Sequence, residues 1–108
     1  MYENMVILPD AQDDIDKAYW YYEGREINLG ERFLDILDSE FKRIIKNPDL
    51  FGLAFDDYRR VAIHKFPFFI YYRFDNGKVI IYSVFNTSQE PAKLLTRLKF
   101  KDEYRTRH

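Results

Sequence analysis

The chain has 108 residues, no cysteine and a formal net charge of −1 at pH 7. This length predicts a single domain spanning 1–108, and the absence of cysteine excludes thiol catalysis and a cysteine-ligated zinc site. Neither a signal peptide nor an apolar run of the ~20 residues that a membrane span needs is visible, so we expect a cytoplasmic protein.

Charge is unevenly distributed along the chain. Residues 1–57 contain 6 Lys and Arg against 14 Asp and Glu, whereas residues 58–108 contain 11 against 4. A basic half of this kind predicts either an acidic protein partner or a phosphate backbone, and the alternative is ordinary solvated charge. Aromatic residues make up 19% of the chain, which indicates a large core or an adhesive face.

The first predicted element is a strand at Met5–Leu8, bounded by Pro9 and Asp10. A helix follows, for which Asp10 is the expected N-cap, and it ends near Gly24. Its apolar stripe has helical spacing and consists of Ala11, Ile15, Ala18, Tyr19 and Tyr22.

A second helix is predicted from about Asn28 to Asn47, where Pro48 stops it because the residue before a proline is driven out of the helical region. The two helices and their short link predict an αα-hairpin. Residues 49–57 are predicted to form a loop whose apolar side chains attach it to the rest of the domain.

Three strands are predicted next, at Tyr58–Lys65, Phe68–Phe74 and Val79–Phe85. Between the last two, Asn76 and Gly77 predict a type I′ turn, because both tolerate positive φ. That turn sets a register in which Asp75 faces Lys78, Phe74 faces Val79 and Tyr72 faces Ile81.

In this register both faces of the sheet are apolar. One face is expected to carry Phe68, Ile70, Tyr72, Phe74, Val79, Ile81 and Phe85. The other is expected to carry Phe69, Tyr71, Arg73, Ile80, Tyr82 and Val84. A sheet covered on one side should alternate apolar with polar residues, so we expect the second face to be covered by the C-terminal segment or by another chain.

The C-terminal region predicts a short helix entered through Thr87–Pro91, with Ala92, Leu94, Leu95 and Leu98 as its stripe. Residues 100–108 form a charged tail that we expect to fray. The fold class is therefore α+β with the order β-α-α-β-β-β(-α). It places a helical hairpin on a mainly antiparallel four-stranded sheet.

Three stretches resemble the RelE/ParE superfamily of bacterial toxins. Ile7–Tyr22 resembles its first strand and helix, and Leu29–Phe51 is similar to its second helix with the terminating Asn-Pro. Tyr58–Pro91 resembles its most recognisable part, an arginine pair followed by Phe-Pro-aromatic, a tyrosine and a hairpin. Together these stretches cover nearly the whole chain in order.

The resemblance implies a type II toxin that inhibits growth, stabilises plasmids and is neutralised by direct contact with a cognate antitoxin, forming a hetero-oligomer. It implies no cofactor and no metal. ParE-like members poison DNA gyrase, and RelE-like members cleave mRNA in the ribosomal A site.

Metal-free RNA cleavage needs cationic side chains at the phosphate and a group that moves protons. The candidates of suitable chemistry are Arg60, His64, Lys65, Arg73 and Arg97. RelE-like nucleases, however, carry an arginine where this chain has Phe69, and many carry a histidine where it has Asn86. These departures favour the ParE-like gyrase inhibitor. The alternatives are a ribosome-dependent mRNA endonuclease and an inactive relative that only binds antitoxin.

The expected contact surface for the antitoxin or the target combines cations with aromatic rings on the second sheet face and near the C-terminal helix. It consists of Arg59, Arg60, Phe69, Tyr71, Arg73, Tyr82, Lys93 and Arg97.

Overall fold

A computed structural model describes residues 3–89 and 92–98 of the chain. In chain order the elements are β1 (Met5–Ile7), α1 (Pro9–Arg25), α2 (Leu29–Lys46), β2 (Leu53–Phe55), β3 (Tyr58–Ala62), β4 (Phe68–Asp75), β5 (Lys78–Asn86) and α3 (92–98). The sheet has the strand order β1-β5-β4-β3-β2, in which β1 runs parallel to β5 and the other pairs are antiparallel. The predicted α+β class, with a helical hairpin on a mainly antiparallel sheet, is thereby confirmed.

The sheet has five strands where four were predicted. The additional strand is β2, which lies within the predicted loop 49–57 and pairs with β3 through Leu53 opposite Arg59 and Phe55 opposite Tyr58. Asp56 takes a left-handed conformation at φ 46° and closes the turn between them. A three-residue edge strand is too short to show an alternating pattern, so its pairing partner rather than its own sequence decides its conformation.

Helix α1 begins two residues earlier than predicted, at Pro9 rather than at Ala11. Its N-cap is Leu8 and Pro9 occupies the first turn, so Asp10 lies inside the helix and the prediction that it caps the helix was wrong. Proline suits the first helical position because its missing N–H has no partner there in any case. The end of α2 is as predicted, with Asn47 at the C-cap before Pro48.

The hairpin between β4 and β5 confirms the predicted turn. Asn76 and Gly77 have φ values of 50° and 74°, the signs that a type I′ turn requires. The strands pair as expected over this end, with Asp75 opposite Lys78 and Phe74 opposite Val79.

A β-bulge changes the register further along β5. Tyr72 pairs with Ile81, but its neighbour Tyr71 pairs with Ser83, so β5 carries one additional residue at this point. Beyond the bulge the faces are exchanged, because side chains alternate with a period of two. Val84 therefore packs with the helices and Phe85 lies on the opposite face, and the prediction for these two residues was wrong.

The two faces of the sheet have separate cores. Helices α1 and α2 cover the first face, where Phe33, Ile44 and Ile70 are fully buried. Leu94 and Leu98 of α3 cover the second, packed against the rings of Tyr58, Tyr71, Tyr82 and Phe85. Of the two covers predicted for the second face, the structure shows the C-terminal segment. The predicted tail, 100–108, lies outside the described residues. Among the described helices, none is long and apolar enough to cross a membrane.

The connection from α2 to β2 is held by two side chains of the sheet. The hydroxyl of Tyr72 donates a hydrogen bond of 2.7 Å to the carbonyl oxygen of Pro48. Arg59 donates to the carbonyl oxygens of Phe51, at 2.6 Å, and Asp49, at 3.3 Å. Burial raises the pKa of Tyr72 to about 12, against a smaller opposing effect of Arg59.

A folded-state tyrosine pKa above its unfolded value stabilises the fold below the unfolded pKa, and that stabilisation is lost as the pH rises through the folded pKa. We therefore expect the free energy of unfolding to fall between about pH 10 and 12 and to fall less in Tyr72→Phe. At neutral pH this substitution should cost about 0.5–1.5 kcal/mol for the lost hydrogen bond. Urea unfolding at several pH values measures both effects. Tyr21→Phe, at a side chain that is 57% exposed, is the control, and a wild-type pH dependence in Tyr72→Phe would contradict the prediction.

Candidate functional site

A groove lies beside the second half of β5. Strand β1 pairs with β5 only as far as Ile7 opposite Ile81, whereas β5 continues to Asn86. Among the described residues, no strand therefore lies next to the outer edge of β5 beyond Ile81. Helix α1 lies on one side of this edge and α3 on the other, and they enclose an open groove of about 1020 Å³.

Asp14 of α1 joins the elements that form the groove. Its carboxylate accepts a hydrogen bond from the backbone N–H of Val84 at 3.0 Å and one from the hydroxyl of Ser83 at 3.4 Å. Arg97 of α3 donates to both carboxylate oxygens, at 3.2 and 3.0 Å, and its guanidinium lies 5.6 Å from the ring centroid of Phe85. One side chain thus links α1, β5 and α3.

Burial raises the pKa of Asp14 above its usual value, although the hydrogen bonds from Arg97 and from the Val84 amide act in the opposite direction. A carboxyl whose pKa is raised on folding stabilises the fold most at low pH, and this contribution falls as the pH rises through the folded pKa. Desolvation of the carboxylate thus outweighs the attraction of its partners. The contact between Asp14 and Arg97 positions α1 and α3 relative to each other.

The floor of the groove is apolar and its rim is basic. Buried side chains of Ala18, Phe68, Val84 and Phe85 form the floor. Lys17 and Arg25 of α1 and Lys93 of α3 line the rim and are exposed. Among the residues that the structure describes, the lining has four cations, these three and Arg97, against the single carboxylate of Asp14.

Arg25 is held in place on this rim by an aromatic neighbour. Its guanidinium donates a hydrogen bond of 2.9 Å to the hydroxyl of Tyr21 and lies 5.3 Å from the centroid of the same ring. Because Tyr21 is 57% exposed, the pair presents a positioned cation and an accessible ring to the same space.

Arg73, a predicted site residue, is buried within the fold. Its guanidinium donates to the carboxylate of Asp57 at 3.0 Å and to the hydroxyl of Tyr82 at 2.9 Å, and it lies 3.6 Å from the carboxylate of Asp75. Arg59 likewise donates hydrogen bonds to carbonyl oxygens of the α2–β2 connection. Both guanidinium groups serve the architecture of the sheet.

Arg60 and Phe69, by contrast, lie together on the accessible part of the second face. The Arg60 guanidinium is 4.4 Å from the ring centroid of Phe69, which contacts the buried ring of Tyr71 edge-on at 6.2 Å. Among the described residues no carboxylate lies within ion-pair distance of Arg60. We call Arg60 and Phe69 the Arg60–Phe69 patch.

The remaining predicted residues lie elsewhere. His64 and Lys65 are exposed in the β3–β4 turn, where Lys65 has a φ of 69°, and Lys93 and Arg97 line the groove. The five candidates for RNA cleavage are thus distributed over four places. In the part of the chain that the structure describes, no group of three His, Cys, Asp or Glu side chains could hold a metal ion.

The groove residues on α1 were not predicted. Lys17, Tyr21 and Arg25 follow one another at intervals of four, which places them on one helix face, and that spacing was the available signal. In the sequence, Asp14 stands among several acids near the start of α1, a position where acids ordinarily favour a helix N-terminus, so its context does not mark it as a site residue. Its partners Ser83, Val84 and Arg97 are too distant in sequence for any local pattern to connect them with it.

Comparison with protein families matches residues 5–91 to the ParE toxin of type II toxin-antitoxin systems, parDE. The match ends before α3. Among solved structures, the chain is similar to one described as the chromosomal ParDE TA system from P. aeruginosa. The TM-score is 0.59, with 14% sequence identity over 79% of this chain and 96% of that chain. At this identity the similarity shows the fold alone. Comparison with curated protein sequences gives no match.

Asp14→Ala should lower the free energy of unfolding by about 1–3 kcal/mol, because the Val84 amide and the Arg97 guanidinium both lose their acceptor. Asp14→Asn should cost clearly less, because its amide oxygen can still accept a hydrogen bond and its neutral side chain avoids the desolvation of a carboxylate. Urea unfolding at pH 7 measures both values. The exposed neighbour Asp13→Ala is the control, expected to change stability by no more than about 0.5 kcal/mol. Equal losses for the Ala and Asn variants would contradict this account of Asp14.

Proposed function

The chain belongs to the ParE toxin family of type II toxin–antitoxin systems, and on that premise we propose that it inhibits growth by binding DNA gyrase and is held inactive by a cognate antitoxin. We expect the protein to bind both gyrase and the antitoxin in the cytoplasm. A gene pair of this kind on a plasmid would stabilise its inheritance. The ParDE complex with the same fold supports an antitoxin partner for this chain.

We favour gyrase over RNA as the target because most of the candidate arginines already have hydrogen-bond partners within the chain. A phosphate in an RNA-cleaving site needs guanidinium or ammonium groups that are free to bind it. Arg59, Arg73 and Arg97 instead donate to carbonyl oxygens, carboxylates and a tyrosine hydroxyl of their own chain. On the second face Arg60 keeps its guanidinium exposed, over the ring of Phe69.

The residues that replace the expected nuclease groups support the same choice. Phe69 lies directly opposite Phe85 in the sheet and its ring contacts Tyr71, so an aromatic side chain occupies the place of a catalytic arginine. Asn86 uses its side-chain oxygen to accept hydrogen bonds from the N–H and hydroxyl of Ser88 at 2.8 and 2.7 Å. An amide that ends a strand in this way organises a turn and cannot act as a general base.

We assign the Arg60–Phe69 patch to the contact with the target. It combines an exposed guanidinium with a half-buried ring, a pairing that is enriched at protein interfaces. Arg73, Tyr71 and Tyr82 lie beneath the surface and support the patch rather than forming it.

Production of the chain without an antitoxin should arrest growth, and the purified protein should inhibit DNA supercoiling by gyrase while leaving mRNA in a programmed ribosomal A site intact. All three readouts use the same folded protein. Cleavage in the ribosome without any effect on gyrase would favour the mRNA endonuclease. Growth that continues normally at high levels of folded protein would contradict the toxin assignment and leave an inactive relative that binds antitoxin.

Arg60→Glu should raise the concentration needed for half-inhibition of supercoiling by about tenfold or more, the effect of losing about 1.4 kcal/mol of binding free energy. The same charge change in Lys78→Glu, at an exposed position beside the hairpin turn, is the matched control and should leave the inhibition within about twofold of wild type. The free energy of unfolding of Arg60→Glu should be lower than that of the wild type by less than about 1 kcal/mol, the value of an exposed cation–π contact. Unchanged inhibition by Arg60→Glu would remove this patch from the target interface.

A further inference from the structure

The outer side of α1 presents a tryptophan to solvent, away from the groove and from the Arg60–Phe69 patch. Trp20 follows the fully buried Ala11 by nine residues, about two and a half helical turns. Its side chain therefore points away from the core, and it is 69% exposed and does not line the groove. We propose that this side of α1 binds a basic segment of a partner protein, with an arginine or lysine side chain seated on the Trp20 ring.

The Trp20 ring is positioned by a neighbour and remains accessible. The ring of Tyr19 contacts it edge-on with the centroids 4.9 Å apart, and the Tyr19 hydroxyl donates a hydrogen bond of 2.9 Å to Glu31 of α2. One turn after Trp20, Gly24 has no side chain, and a Cβ there would meet nothing within 4 Å beyond its own helix. A ring that is supported on one side and open on another loses little conformational freedom when a ligand binds.

Carboxylates flank Trp20 on the same side of the helix. Asp13 and Asp16 precede it by seven and four residues and Glu23 follows it by three, spacings that share one helix face. Among the described residues, no lysine or arginine forms an ion pair with any of the three. Lys17, four residues after Asp13, lines the neighbouring groove. We call Asp13, Asp16, Trp20 and Glu23 the Trp20 face.

An exposed ring between carboxylates is suited to a cationic side chain. Tryptophan gives the strongest cation–π contact of the aromatic residues. A guanidinium can stack on such a ring while its N–H groups donate to carboxylates beside it, and an ammonium can make the same contacts with less directional preference. The Trp20 face therefore fits an arginine best, and further basic residues of the segment would neutralise the remaining carboxylates.

The sign of the charge disfavours the other occupants of an exposed aromatic surface. Nucleic acids and anionic membranes are bound through lysine and arginine side chains, whereas the Trp20 face offers carboxylates. A symmetric contact between two copies of the chain would place the same patch on both sides and bring these carboxylates together. A different protein with an excess of lysine and arginine in the contacting segment meets neither obstacle.

The Trp20 face and the Arg60–Phe69 patch lie on opposite sides of the sheet. Helix α1 packs on the first face, whereas Phe69 packs with the residues of the second. A partner bound at the Trp20 face would leave the patch accessible, so both surfaces can be occupied at once. The inference thus goes beyond the proposed function, and a failure of either leaves the other standing.

The test begins with displayed random peptides without tryptophan, of about 12 residues, long enough when extended to span α1. They are selected on the purified full chain. Because Trp20 is the only tryptophan in the sequence, its fluorescence reports directly on the binding of synthetic copies of the enriched peptides. Fluorescence anisotropy of labelled copies gives the affinity for each variant.

Two substitutions of the face have matched controls. Trp20→Ala removes the ring, and Leu50→Ala removes an apolar side chain that is also 69% exposed. Asp16→Lys reverses one charge of the face, and Glu3→Lys makes the same change in net charge at an exposed position before β1. Circular dichroism and urea unfolding verify that all four variants are folded.

We expect enriched peptides that are rich in arginine and lysine and that change the fluorescence of Trp20. Their affinity should fall about tenfold or more in Trp20→Ala and Asp16→Lys and change less than about twofold in the two controls. The proposal is overturned if no peptide is enriched, if the enriched peptides have no basic excess, or if the controls lose affinity equally. Self-association of the chain in sedimentation experiments, abolished by Asp16→Lys, would also overturn it in favour of a second copy as the occupant.

Discussion

The arrangement of the C-terminal half of the molecule depends on the carboxylate of Asp14. Strand β1 is only three residues long, so β5 extends past it with an unpaired edge. Asp14 accepts the N–H of Val84 on that edge, and in doing so it stands in for the carbonyl oxygen of a missing neighbouring strand. Its second role is to bind Arg97, which positions α3 across the groove from α1. A single side chain thereby replaces a strand and attaches a helix.

This arrangement is specific rather than strongly stabilising. Burial of the Asp14 carboxylate raises its pKa in spite of its cationic partner, which means that desolvation offsets much of the attraction. The contact fixes how α3 is oriented relative to β5. The Asp14 carboxylate accepts hydrogen bonds from both elements at once, and few arrangements of the two elements satisfy both sets of bonds. The β-bulge near Tyr82 contributes in the same region, since it turns Phe85 toward α3 and Val84 toward the helical hairpin.

Folding also redistributes the charge that is so uneven along the sequence. Part of the basic half pairs with the acidic half, as in the contacts of Arg73 with Asp57 and of Arg97 with Asp14. The cations left accessible come from both halves, with Lys17 and Arg25 on α1 and Arg60 and Lys93 further along. The binding surfaces that we propose therefore rest on the charges that remain exposed after folding, and an overall count of charges by segment does not identify these charges.

The sequence by itself determined the elements whose cause is local. The proline after Asn47 ends α2, Asn76 and Gly77 close the hairpin with positive φ, and the apolar stripe of α2 selects the face that is buried. The family could also be recognised, because its order of strands and helices and its Phe-Pro and hairpin residues are legible in the chain. Each of these signals acts within a few residues, so no tertiary contact is needed to interpret it.

Only the tertiary structure decided β2, the bulge and the groove. Strand β2 exists because β3 is beside it, and the bulge reverses the faces of Val84 and Phe85 without any mark in the local sequence. The groove depends on Asp14 meeting Arg97, which is 83 residues away. Such pairings are set by how the whole chain packs, because a carboxylate on a helix surface has the same local appearance whether it faces water or holds two other elements together.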